Sequence, residues 1–115
     1  ISTHHPGHYL YIDVDDQFLR PNQSGAVRIA LEYLDRGQGA LPLEYDSRDA
    51  AAPHSGIYKS HPQPPRRTNS GAWRTAVFAV SDARFAGSQN GEADFRFYNG
   101  GDDLIVKAVR VRRGN

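Results

Sequence analysis

The sequence ADFRFYNGGDDLIVKAVRVR, residues 93–112, contains the pattern that decides the fold. Phe95 and Phe97 alternate with polar neighbours, and residues 104–112 form a second, valine-rich alternating segment. A period of two places one apolar row on a core, because successive side chains of a strand point to opposite faces. The intervening residues 99–103, Asn-Gly-Gly-Asp-Asp, are typical of a tight turn. The stretch therefore predicts two strands joined as a hairpin.

The same alternation appears nearer the start of the chain. Residues 9–15 alternate Tyr and Asp with Leu, Ile and Val, which predicts a strand. Residues 26–35 fit both a strand and one face of a helix. A glycine-rich turn at residues 35–39 and a returning arm at residues 40–46 favour the strand, as the first arm of a second hairpin.

The middle of the chain combines an apolar run with a long irregular segment. Residues 72–80, AWRTAVFAV, suit a central strand buried on both faces, with Trp73 in the core. Residues 48–71 lack periodicity and contain four prolines after Ala52. They predict a long loop with a short strand near residues 57–60. A loop of this length in a small domain is more often functional than a simple connector.

Strands at short intervals, without a long helix, predict an all-β fold built as an antiparallel β-sandwich. One domain is expected over residues 9–113, with residues 1–8 as a disordered or linker segment. The period-two placement predicts that the following residues are mostly buried: Leu10, Ile12, Val27, Ile29, Leu31, Val77, Phe95, Phe97, Val109 and Val111.

The composition of the 115 residues argues against several classes of protein. The absence of Cys excludes a disulfide framework and thiolate metal sites. The 14 basic and 13 acidic residues nearly balance, so no nucleic-acid partner is expected. No apolar run approaches the roughly 18 residues that cross a bilayer, so no membrane partner is expected. No GxSxG motif occurs and the three Glu fall at outward or turn positions, so no catalytic residue is predicted and the chain is not expected to be an enzyme.

Asp13 and Asp15 are the candidate metal ligands. Their alternate spacing would place both carboxylates on one strand face, where they offer the hard oxygen atoms that calcium prefers. A solvated outer face is the alternative interpretation. His4, His5 and His8 are assigned to a disordered end rather than to a metal site. No cofactor is expected to be required, and a structural calcium ion is the metal hypothesis.

Residues 48–71 and their neighbours supply the candidate ligand-binding residues. Sugars pack C–H faces on aromatic rings and form hydrogen bonds through their hydroxyls. The segment carries a net charge of plus three, which suits an acidic sugar because arginine binds carboxylates bidentately. A merely soluble loop is the alternative. The predicted site residues are Tyr45, His54, Tyr58, Arg66, Arg67, Asn69 and Tyr98. The outer sheet face beside Tyr9 and Tyr11 is the alternative location.

Four segments together resemble a known family: YLYIDVDDQF at 9–18, ALEYLDRGQGALPLEYDS at 30–47, GAWRTAVFAVSDARFAGSQNGEADFRF at 71–97 and DDLIVKAVRV at 102–111. They look like the galactose-binding-like, jelly-roll β-sandwich modules that secreted bacterial polysaccharide-degrading enzymes carry as carbohydrate-binding modules. The resemblance spans about residues 9–112. Its most specific part is residues 73–97, where W-x-T-x-V-F precedes DARF and ADFRF.

The resemblance implies a non-catalytic module that targets an appended enzyme to a polysaccharide. It implies an extracellular location as part of that larger enzyme, with a polysaccharide or oligosaccharide and the parent catalytic domain as partners. Many such modules hold a structural calcium ion. The module itself is expected to be a monomer, and no particular sugar is implied. The alternative is a structural or interaction β-sandwich that packs against a catalytic domain without binding sugar, and a small hydrolase ranks third.

Overall fold

The computed structural model describes residues 8–114, and these contain nine short β-strands. The strands are β1 (Tyr9–Ile12), β2 (Val27–Leu34), β3 (Gln38–Ala40), β4 (Leu43–Tyr45), β5 (Lys59–Ser60), β6 (Arg66–Thr68), β7 (Trp73–Val80), β8 (Phe95–Tyr98) and β9 (Val106–Arg113). Two 3-10 helices, Pro53–Gly56 and Asn90–Glu92, lie in the connections. The segment predicted to be disordered, residues 1–8, lies outside the described residues except for His8.

The strands form two main sheets and a small ribbon. The first sheet has the order β1-β8-β4-β5 and the second has the order β7-β2-β9. Strands β3 and β6 pair with each other as a two-stranded ribbon. All of these strand pairs are antiparallel. The chain passes repeatedly between the two sheets, which joins them into one unit.

The two sheets pack against each other through their apolar faces. Alternate residues of β2 are buried on one side: Val27, Ile29, Leu31 and Tyr33. The rings of Phe78 in the second sheet and Phe97 in the first have their centroids 5.7 Å apart, which places them in contact across the interface. Aromatic pairs at this separation contribute beyond the area that they bury. The predicted all-β antiparallel sandwich is therefore confirmed.

Five of the ten residues expected in the core are buried and four are partly buried, but the outward side chains of β7 are exposed. Val27, Ile29, Leu31, Phe95 and Phe97 are fully buried, and Leu10, Ile12, Val109 and Val111 are partly buried. Val77 is 54% exposed and Trp73 is 47% exposed, so the prediction for these two side chains is wrong. The reason is that one face of the second sheet is uncovered: Phe78 and Val80 lie on the covered face, whereas Trp73 and Val77 lie on the opposite face.

The predicted hairpins are also wrong, although their strands exist. The arm after residues 35–39 forms β3 and β4, which pair with β6 and with β5 and β8, whereas β2 pairs with β7 and β9. Residues 99–103 connect β8 in the first sheet to β9 in the second. The turn sequences therefore mark strand ends correctly, but the partners of the strands are set by packing between distant segments.

Candidate functional site

Residues 48–71 do not form one ligand-binding loop. They contain the 3-10 helix Pro53–Gly56, β5 and β6, and their side chains lie in different parts of the sandwich. Arg66 and Arg67 belong to the β3–β6 ribbon. Tyr58 instead lies against the first sheet, where its ring centroid is 4.0 Å from Arg96 Cζ. The predicted site is therefore divided between two surfaces.

Arg67 is committed to the fold and is not available to a ligand. Its side chain is buried, and its guanidinium donates to four main-chain carbonyls: Gln38 O at 2.7 Å, Asp103 O at 2.9 Å, Asp102 O at 3.2 Å and Asn99 O. These bonds tie the ribbon to the connection between β8 and β9. Because buried carbonyls need donors, this arginine has a structural role, contrary to the prediction.

Asn69 helps to build the turn beside the ribbon. Its Oδ1 accepts a hydrogen bond from Gly37 N at 2.8 Å. The neighbouring Ser70 Oγ and Thr68 Oγ1 each donate to the buried Asp35 carboxylate at 2.6 Å. The hydrogen bonds from Ser70 and Thr68 hold the pKa of Asp35 well below its usual range. Arg66 is exposed on the same ribbon, where it pairs in register with Ala40.

Tyr45 is part of the core rather than an exposed stacking ring. Its side chain is buried, and its hydroxyl donates to Asp82 Oδ1 at 2.6 Å. Burial, together with this hydrogen bond, raises the pKa of Tyr45 above its usual value. Lys59 completes the group, because its Nζ lies 2.6 Å from Asp82 and 2.9 Å from Asp49. The prediction that Tyr45 is a stacking platform is therefore wrong.

The outer face of the first sheet brings together the other predicted rings. We call this surface the tyrosine face, and it consists of Tyr9, Tyr11, Tyr58, Tyr98, Arg96 and Glu44. The antiparallel register sets Tyr9 opposite Tyr98 and Tyr11 opposite Arg96. These side chains point outward because their alternate neighbours in the strands pack on the core.

Arg96 lies at the centre of the tyrosine face. Its Cζ is 3.9 Å from the ring centroid of Tyr9 and 4.0 Å from that of Tyr58, so the guanidinium is stacked between two rings. Its Nε donates to Glu44 Oε1 at 2.8 Å and its Nη1 donates to Tyr11 Oη at 2.8 Å. The side chain is only 15% exposed, so these partners hold it in one position.

The edge of the tyrosine face carries His54 and Asn90. His54 meets the Tyr58 ring edge-on, with ring centroids 5.6 Å apart. Asn90 N donates to Tyr58 Oη at 3.1 Å, and its Nδ2 donates to Tyr11 Oη at 3.3 Å. Burial alone would raise the pKa of Tyr11, but hydrogen bonds with Arg96 and Asn90 lower it below its usual value. Three predicted site residues, His54, Tyr58 and Tyr98, thus lie on or beside one surface.

The tyrosine face offers aromatic rings and polar groups that can contact a ligand. Tyr9 is 41% exposed and forms centroid contacts of 6.1 Å with Tyr11 and 5.1 Å with Tyr98. Glu44, the carboxylate of this face, is already paired with Arg96. Exposed rings can pack on apolar C–H groups, while hydroxyls and amides at the edge can form hydrogen bonds with a polar ligand.

Arg96, Glu44 and Asn90 are the residues of this surface that sequence reasoning missed. The alternation of residues 9–15 and 93–98 does indicate that Tyr9, Tyr11 and Arg96 point away from the core. That signal does not reveal that β1 and β8 are neighbours, because strand pairing depends on the whole sandwich. The alternative site predicted beside Tyr9 and Tyr11 lies on this surface.

The acidic segment after β1 differs from the expected strand. Strand β1 ends at Ile12, so Asp13 and Asp15 do not share one strand face. Within residues 8–114, no group of three or more His, Asp or Glu side chains is placed to hold a metal ion. The nearby buried Asp94 accepts hydrogen bonds from Val14 N and Gly87 N, both at 2.8 Å. Calcium binding by this segment stays a prediction.

The chain matches no protein-family model, no curated protein and no solved structure. Among the described residues, no helix has the length and apolar character needed to span a membrane.

Proposed function

We propose that the chain is a non-catalytic carbohydrate-binding module and that its tyrosine face binds a polysaccharide. The observation that carries the proposal is the Arg96 guanidinium stacked between Tyr9 and Tyr58 on an open sheet face. This stacking fixes two rings before a ligand arrives, which reduces the conformational entropy lost on binding. A sugar presents the apolar C–H faces and the hydroxyls that such a surface accommodates.

Binding without catalysis is useful when the module is joined to an enzyme. A tethered module raises the local concentration of its catalytic domain at the polysaccharide, so affinity alone gives a functional gain. The resemblance to accessory modules of secreted polysaccharide-degrading enzymes supports this role, with a location outside the cell as part of the larger enzyme. The tyrosine face needs no cofactor for this binding.

Affinity electrophoresis of the chain in gels that contain neutral or acidic polysaccharides tests the proposal. We expect at least one polymer to retard the chain, while a reducing-end assay on the same mixtures detects no cleavage. Circular dichroism of the same sample confirms that the chain is folded. A folded chain that no polysaccharide retards would contradict the proposal, and release of reducing ends would contradict the absence of catalysis.

A second candidate function, docking on a neighbouring protein domain, is favoured by the outer face of the second sheet. Trp73 and Val77 are exposed there, and they pair in register with Leu34 and Ala30 of β2. Exposed apolar patches often mark interfaces. Trp73 is the single tryptophan of the chain, so its fluorescence reports on this face. Docking requires its emission to shift to shorter wavelength when a partner domain that lacks tryptophan is added, whereas a free face leaves the emission unchanged.

A further inference from the structure

A cavity separate from the tyrosine face lies where three connecting segments meet. The segment after β1 contributes Leu19, the segment after β4 contributes Arg48, and the segment after β7 contributes Arg84 and Phe85. We call it the arginine pocket, and its volume is about 530 Å³. This volume lies within the range of small-molecule sites, about 300 to 1,000 Å³.

Arg84 is fixed in the wall of the arginine pocket by a buried carboxylate. Its Nε and Nη2 donate to Asp46 Oδ1 at 3.0 and 2.7 Å. Asp46 is fully buried, and its Oδ2 also accepts a hydrogen bond from Ala86 N at 2.9 Å. The Arg84 side chain is nevertheless 37% exposed, and its Nη1 is not one of the atoms bonded to Asp46. A guanidinium that Asp46 holds in place therefore lines the pocket.

Arg48 supplies a second guanidinium, and the floor is apolar. Arg48 is exposed, and its Nη2 makes a long contact of 3.4 Å with Arg20 O. Leu19 and Phe85 are buried residues that line the pocket. The pocket thus combines two arginines, whose side chains only donate hydrogen bonds, with an apolar surface.

The charges of the pocket select among anionic ligands. The positive charge of Arg84 is balanced by Asp46, with which it pairs, and the positive charge of Arg48 is balanced by Asp16 in the lining. The lining therefore carries no net charge, and an anion is held by directed hydrogen bonds, of which the bidentate pairing of one carboxylate with a guanidinium is the strongest. Asp16 can accept hydrogen bonds from hydroxyls of the same ligand. An apolar face on that ligand would cover Leu19 and Phe85.

We propose that the arginine pocket binds a uronate, a sugar residue that carries one carboxylate. A uronate presents a carboxylate to Arg48 and Arg84, hydroxyls to Asp16 and C–H groups to Phe85. The choice of a sugar as ligand rests on the proposed function, but the pocket and the tyrosine face share no residue.

Titration of the ¹⁵N-labelled chain with sodium glucuronate, followed by NMR, tests this site. At up to about 10 mM ligand, an affinity of about 1 mM would nearly saturate the pocket. We expect the amide signals of Phe85 and Ala86 to shift with glucuronate, and to shift much less with glucose or acetate. Arg48→Gln is expected to weaken binding by about tenfold, because it removes a charge-assisted donor without exposing Asp46.

Two controls make the result specific. Arg66→Gln removes an exposed arginine outside the pocket and is expected to leave glucuronate binding unchanged. Wild-type retention by a polysaccharide gel is the second control, because it reports on the tyrosine face, whereas the signals of Phe85 and Ala86 report on the pocket; failure of either site is therefore detected separately. Equal shifts with glucose or acetate, no shift at Phe85 and Ala86, or full binding by Arg48→Gln would each overturn the proposal.

Discussion

Arg67 and Arg96 are largely buried arginines whose guanidinium groups have different hydrogen-bond partners. Arg67 donates to main-chain carbonyls, and burial lowers its pKa. For Arg96, burial also acts to lower the pKa, but hydrogen bonds with Glu44 and Tyr11 raise it above its usual value. The planar guanidinium is weakly hydrated and donates in several directions, which suits both positions. Arg67 thus belongs to the fold and Arg96 to the candidate site.

Replacement of Arg67 tests its structural role. Arg67→Met leaves the buried Asn99 carbonyl and three partly buried hydrogen bonds without their donor, so we expect the free energy of unfolding to fall by about 3 kcal/mol or more. Arg66→Met changes the exposed neighbour in the same strand and is expected to alter that free energy by less than about 0.5 kcal/mol. Urea unfolding measures both values. Similar losses for the two variants would contradict the assignment.

Asp35 predicts a particular dependence of stability on pH. Its folded pKa is depressed, so the unfolded chain takes up a proton near pH 3.9 while the folded chain does not. The stabilisation from Asp35 is therefore complete above about pH 5 and is lost as the pH falls toward the folded pKa.

The variant Asp35→Asn isolates this contribution. We expect it to lower the melting temperature at neutral pH. The difference in melting temperature between the variant and the unsubstituted chain is expected to decrease as the pH falls from about 5 to 2. Asp16→Asn removes an exposed carboxylate and provides the control. A difference that stays constant across this range would contradict the role of the Asp35 carboxylate.

At the scale of elements, strand identity could be predicted far better than strand pairing. The alternation in residues 9–12, 27–34 and 95–98 follows from one covered face, so local sequence is sufficient. The pairing of β1 with β8 joins residues more than eighty positions apart, and no local pattern specifies it. Because strand pairing is not specified locally, the sequence predicts Tyr58 and Tyr98 as ligand-binding residues but does not predict that Arg96 lies beside them.

In the connection between β8 and β9, a side chain is accommodated less well at Gly100 than at Gly101. Gly100 has a φ of +67°, and a Cβ built there would lie 2.2 Å from Ala40 O. Gly101 has a φ of +86°, but a Cβ would meet nothing within 4 Å. Both substitutions by Ala carry the cost of a left-handed backbone, about 1 kcal/mol, and only Gly100→Ala adds a backbone clash.

Urea unfolding of the two variants tests this difference. We expect Gly101→Ala to lower the free energy of unfolding by about 1 kcal/mol and Gly100→Ala to lower it by at least about 2 kcal/mol. Gly101→Ala is the matched control, since it adds the same methyl group one residue away. Equal effects would show that the approach of Gly100 to Ala40 is unimportant for stability.

Removal of calcium tests the segment that contains Asp13 and Asp15. A bound ion stabilises the folded state by about 2.7 kcal/mol at a free concentration one hundred times its dissociation constant. If calcium binds here, a chelator lowers the melting temperature by about 10 °C or more, and Asp13→Asn abolishes that response. An unchanged melting temperature, with no ion found by elemental analysis, would contradict the calcium prediction.

At the scale of the whole molecule, the two outer faces of the sandwich differ in chemistry. The first sheet presents the tyrosine face, where rings and Arg96 are held in contact with one another. The second sheet presents Trp73 and Val77 at the edge strand β7. The apolar run of residues 72–80 predicts a core position for both, because such a run does not indicate that one face of the strand is exposed. The overall sandwich, in contrast, follows from repeated alternation.

The dissociation constant for the polysaccharide that retards the chain most strongly tests the tyrosine face most directly. It is measured by affinity electrophoresis for the unsubstituted chain and for two variants, Tyr9→Ala and Trp73→Ala, each of which removes an exposed ring from one outer face. Loss of a stacking ring costs about 1 to 1.5 kcal/mol, so Tyr9→Ala is predicted to weaken binding by about tenfold. Trp73→Ala is predicted to leave the constant within about twofold. Weakened binding by Trp73→Ala together with unchanged binding by Tyr9→Ala would contradict the account.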